Sequence, residues 1–75
     1  GGEMKERYEP KTEQQFLGYF VEECGEVLAA VGKAQRWGLE SVNPEIIEGE
    51  TNRQWILREL RDLKGAIKRL EEYLD

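Results

Sequence analysis

The chain contains no histidine, and that absence narrows its chemistry before any motif is sought. Glu-x-x-His ligation of the kind found in redox di-iron bundles is excluded, and zinc is disfavoured. A single cysteine, Cys24, rules out an intramolecular disulfide, so the reducing cytoplasm is the expected compartment. With no histidine to activate it, Cys24 reads as a small buried hydrophobe rather than a nucleophile. No apolar run approaches the roughly 20 residues of a membrane span, and none resembles the apolar core of a signal peptide. Basic residues are outnumbered 11 to 16, for a net charge of −5. Nucleic acid, which needs a basic footprint, is therefore not an expected partner. Period-two alternation is missing throughout, so no strand is expected.

What the sequence does hold is helical pattern. Its 75 residues make one domain, and a chain of this size buries only about 60% of its unfolded surface. Residues 1–11 read as a loose polar arm. Thr12-x-x-Gln15 is a capping box, and Phe16, Leu17, Phe20, Val21, Cys24, Val27, Leu28, Val31 and Ala34 follow at spacings of three and four. These predict a helix over about 13–37 with Gly38 as its stop. Asn43-Pro44-Glu45 suggests a short helical turn over about 44–48. Thr51-x-x-Gln54 opens a second helix, about 52–74, along which Ile56, Leu60, Leu63, Ile67, Leu70 and Leu74 form a heptad-like seam. The expected fold is all-α: an antiparallel helical hairpin forming one domain over 12–75. One hairpin cannot enclose its own stripes, so pairing into a four-helix bundle is expected, as a homodimer or a dimer of dimers.

Two acidic pairs stand on these helices, Glu23-x-x-Glu26 and Glu59-x-x-Asp62, with Glu22 beside the first. A spacing of three puts both carboxylates of a pair on one helix face. By rotation, both pairs lie at the edges of the apolar stripes. Any isolated pair of this kind is most simply a solvated helix face, partnered by neighbours such as Arg58 and Arg61. Five acids on two helices that must pack together ask for more. Their mutual repulsion is relieved by a divalent cation, and all-oxygen ligation favours Mg²⁺, with Mn²⁺ as the alternative.

Glu22-Glu23-Cys24-Gly25-Glu26 followed by Glu59-Leu60-Arg61-Asp62 resembles the signature of the MazG-like all-α nucleoside triphosphate pyrophosphohydrolases. The likeness extends over most of residues 13–75. It implies Mg²⁺ held by Glu23, Glu26, Glu59 and Asp62, with Glu22 a further ligand or water-orienting residue and Glu22 and Glu23 the catalytic acids. The implied reaction is hydrolysis of a (d)NTP to the monophosphate and pyrophosphate. The spacer of 32 residues between the pairs is longer than the family's usual one, and the chain is shorter than many members, so base and sugar are not implied.

Other residues are candidates for substrate contact. Lys33 and Arg36 follow Glu26 by two and three turns and suit phosphate, or they complement the helix dipole. Lys64 is a similar candidate beyond Asp62. Trp37 and Trp55 flank the connector, either to stack on a base or to anchor a core, with Trp37 the favoured base contact. Asn52 is a contact to base or sugar, or part of the second cap. Gly65 interrupts a strong helix and suggests close helix packing. The competing reading is a non-catalytic assembly or protein-interaction module whose acids merely solvate its surface.

Overall fold

The computed structural model describes residues 9–42 and 49–75. Most of the expected arm and the expected helical turn over 44–48 lie outside them. Two helices account for nearly all the rest: α1, Glu13–Trp37, and α2, Asn52–Leu74. No strand occurs among the described residues.

Both helices start where a capping box forms. In α1 the Gln15 N–H donates to Thr12 Oγ1 at 3.2 Å, while Gln15 Oε1 accepts from the Lys11 and Thr12 N–H groups at 2.8 and 3.3 Å. In α2 the Gln54 N–H donates to Thr51 Oγ1 at 3.1 Å and Gln54 Oε1 accepts from the Thr51 N–H at 2.9 Å. Each box satisfies amides that the first helical turn leaves orphaned. Helix α1 stops at Gly38, whose φ of 98° suits a residue without Cβ and whose N–H donates to Ala34 O at 2.7 Å.

Past Gly38 the connector is tied back to the start of α2. The Asn52 and Arg53 N–H groups, two more orphan donors, reach Ser41 O and Leu39 O, both at 2.8 Å. Asn52 Nδ2 donates to Gly38 O at 2.9 Å, joining the end of α1 to the first residue of α2. An isolated antiparallel bridge pairs Val42 with Thr51, and Arg53 pairs with Glu40. At the opposite end Phe16 and Tyr73 stack, with ring centroids 4.5 Å apart. The start of α1 therefore lies against the end of α2, which makes the hairpin antiparallel.

The face that each helix turns to the other differs from the expected one. The buried positions are Glu23 and Ala30 on α1, and Asn52, Trp55, Glu59 and Ala66 on α2. Glu23 and Ala30 are seven apart, as are Asn52, Glu59 and Ala66, so each set forms one line along its helix. The small side chains of Ala30 and Ala66, 0% and 1% exposed, let the helices approach closely. Glu23 and Glu59 thus sit inside the seam rather than at the margin of an apolar stripe.

Much of the expected apolar stripe instead faces outward. Leu17, Val21, Leu28 and Val31 on α1 and Leu60, Ile67 and Leu74 on α2 are all exposed. At about 100° per residue, most of these side chains are rotated the same way from the buried line of their helix. On an antiparallel pair that places them on one side of the hairpin. Cys24 is half-buried there, not fully buried as expected. Gly18, Gly25 and Gly32, again seven apart, occupy the back of α1, and a Cβ added at any of them would meet nothing within 4 Å among the described residues. Gly65 does not mark a close approach to α1 either, because among the described residues the one atom a Cβ there would meet is Arg69 Nη1, at 3.3 Å.

Candidate metal centre

The four acids of the two pairs converge. Glu23, Glu26, Glu59 and Asp62 each offer a carboxylate oxygen, and these oxygens all lie within 4.8 Å of one another. The convergence follows from the seam. Glu23 and Glu59 belong to the buried lines, 1% and 4% exposed. Glu26 and Asp62, three residues further on, are turned about 60° from them and are half-buried. That rotation runs opposite to the one carrying the exposed leucines and valines. The acids therefore open on one side of the hairpin and the apolar surface lies on the other.

Glu59 is held from two directions. Trp55, one turn earlier and 8% exposed, donates its indole Nε1–H to Glu59 Oε2 at 3.2 Å. Arg58 Nη1 donates to the same oxygen at 3.2 Å. The Arg58 guanidinium is itself gripped by Glu50, with Nε to Oε2 at 3.0 Å and Nη2 to Oε1 at 3.1 Å. The hydrogen bonds that Arg58 donates to Glu50, with the nearby Glu50, Glu59 and Asp62 charges, hold the Arg58 pKa above the ordinary arginine value despite partial burial. Arg58 is thus a fixed cation joining the connector to the acidic group.

The remaining expected site residues fall elsewhere. Glu22 does not join the four; it is exposed, one turn before Glu26. Lys33 is exposed about 10 Å along α1 from Glu26, on much the same side of the helix. Arg36 is exposed in the last turn of α1. Trp37, the last helical residue, is 64% exposed, on the helix side that carries Glu26. Lys64 is exposed and lies about 200° round α2 from Asp62, so the fold does not bring it to the acids. Asn52 is 3% exposed, its Nδ2 donates to Gly38 O, and the N-cap of α2 is Thr51 rather than Asn52. Trp55 takes the core-anchor alternative and, through its indole N–H, gains a polar task as well. The pairing of Arg58 with Glu59 is one the helix-face reading offered; the parts that sequence reasoning missed are the Trp55 hydrogen bond to Glu59 and the grip of Glu50 on Arg58. The four-residue step from Trp55 to Glu59 was a readable signal, whereas the reach from Glu50 to Arg58 depends on the connector's path.

The donor set suits a hard divalent cation. It is all oxygen, with two deeply buried carboxylates and two half-buried ones that leave an approach from solvent. No family model matches the chain, and no curated protein or solved structure matches it. No described helix is long and apolar enough to cross a membrane.

Proposed function

We propose that the protein is a Mg²⁺-dependent nucleoside triphosphate pyrophosphohydrolase, hydrolysing a (d)NTP to the monophosphate and pyrophosphate. The observation that carries this reading is the meeting of four carboxylates within 4.8 Å, two of them almost wholly buried. Their positions are those at which the sequence resembles the MazG-like enzymes. Like charges so placed repel one another, and a divalent cation turns that cost into binding energy. A triphosphate would be repelled by bare acids, so substrate and site both call for the same ion.

Glu23, Glu26, Glu59 and Asp62 would hold Mg²⁺ (or Mn²⁺), which would supply neutralisation of phosphate charge and a water of lowered pKa. The chain's part is mostly placement, as phosphoryl transfer requires little covalent chemistry of the protein. Glu23 and Glu59 set the floor of the site. Glu26 and Asp62 face the approach, where phosphate oxygens enter. Glu22, outside the four but one turn from Glu26, would orient a water rather than ligate. Lys33 is the preferred phosphate contact, with Arg36 behind it, and Trp37 is an exposed surface for a base.

The finer architecture belongs to the same proposal. A second copy packing on the exposed leucine and valine face would complete a four-helix bundle while leaving the acidic opening clear. The glycine line on the back of α1 admits close approach of another helix. That exposed face also favours the second reading, a module used only for assembly.

Incubating the protein with a panel of dNTPs and NTPs plus Mg²⁺, and assaying pyrophosphate, separates the two readings. The enzyme releases pyrophosphate from at least one nucleotide and loses that activity in Glu23→Gln and Glu59→Gln. The assembly module turns over none of them and self-associates equally well with either substitution.

A further inference from the structure

We infer that Arg58 and Trp55 are positioning residues, fixing the Glu59 carboxylate so that it presents one oxygen to the cation. The inference rests on the metal reading above. Two donors one turn apart on α2, an indole N–H and a guanidinium N–H, converge on one oxygen, Oε2, at 3.2 Å each. A carboxylate anchored in this way has its plane and rotation set, and Oε1 becomes its ligand atom. Neither donor is loose. Trp55 is packed in the seam, and Arg58 is locked by the two-pronged grip of Glu50. Partners of this kind, which orient a metal ligand through its other atoms, are a general feature of metal sites.

The chemistry of Arg58 makes the claim discriminating. A cation beside a divalent ion works against binding by charge alone. Its charge is matched by Glu50 and Glu59, and what it offers a metal site beyond that charge is the fixed orientation it gives the Glu59 carboxylate. The planar fork of arginine serves Glu50 and Glu59 at once, with separate nitrogens on each. Lysine keeps the charge but has one compact ammonium, which cannot grip Glu50 through two bonds and also reach Glu59. Arg58→Lys thus removes the positioning and leaves the electrostatics almost unchanged. Trp55→Phe removes the other donor with no change of charge.

The test is calorimetric titration of the full chain with Mg²⁺ alone, for the wild type, Arg58→Lys and Trp55→Phe, with helical content checked by circular dichroism. Arg58 is half-exposed, so its lysine variant is expected to stay folded even if the phenylalanine variant does not. Both folded variants should bind Mg²⁺ more weakly, by roughly tenfold. A folded Arg58→Lys that binds as tightly as the wild type overturns the inference and leaves the metal reading standing. Failure of the wild-type chain to bind Mg²⁺ overturns both.

Discussion

Neutralising Glu23 should make the cation-free protein more stable while abolishing its response to Mg²⁺. Glu23 shares a space of 4.8 Å with three other carboxylates. At that separation, and with the effective dielectric of about 20 that describes protein sites best, one pair of like charges costs about 3.5 kcal/mol. Three such terms cannot simply add, because a carboxylate escapes repulsion by taking a proton. For a glutamate of ordinary acidity at pH 7 that escape costs about 3.7 kcal/mol, which sets a ceiling on the strain any one acid can contribute. Glu23→Gln removes the charge but buries an amide whose N–H groups must find acceptors, a cost of about 1–3 kcal/mol. A net gain of about 1–2 kcal/mol is expected, raising Tm by about 4–16 °C for a domain of this size. The assay is thermal unfolding in EDTA and in Mg²⁺. The wild type should gain about 2.7 kcal/mol at a hundredfold excess of Mg²⁺ over Kd, and the variant almost none. If Glu23→Gln unfolds at a lower temperature than the wild type in EDTA, Glu23 is a structural acceptor and the repulsion argument fails.

Other expectations concern the frame around the acids. Ala30→Leu, at a position with no exposed surface, should destabilise by about 1–3 kcal/mol through overpacking of the seam, read as a lower denaturant midpoint. Thr51→Ala should cost about 1 kcal/mol by removing one half of the second capping box, measured the same way. Gly65→Ala should stabilise α2 by about 1 kcal/mol, since among the described residues the added Cβ meets the far end of the long Arg69 side chain, at 3.3 Å, whose hydrogen bond to Gly65 O can shift slightly; a loss of stability would show that another surface packs there. Ile67→Lys, on the exposed apolar face, should leave helical content intact and shift sedimentation towards the monomer.

The helices were legible in the sequence because their ends are local matters. Thr12 with Gln15, and Thr51 with Gln54, lie three residues apart and need no tertiary partner to form a box. Gly38 likewise announces a backbone conformation that other residues rarely adopt. The meeting of Glu23 and Glu26 with Glu59 and Asp62 was also readable, as each pair shares a face of a helix that must pack on the other. The facing of the helices was not. Hydrophobicity pointed to Leu17, Val21, Leu60 and Ile67 as the contact, whereas the seam is built on Ala30 and Ala66 together with Glu23 and Glu59, each seven residues before the alanine of its helix. Small residues permit close approach but leave a weak apolar signal, and buried acids leave a contrary one. The hold of Glu50 on Arg58 was hidden for another reason: it joins residues across the entry to α2, where the chain changes direction.

The most direct measurement is Mg²⁺-dependent pyrophosphate release across the nucleotide panel, run beside Glu23→Gln and Glu59→Gln. Turnover of at least one triphosphate by the wild type, lost in both variants and absent in EDTA, is the predicted result. Absence of turnover with every nucleotide, together with no Mg²⁺-induced rise in Tm, would contradict a catalytic metal centre at these four acids.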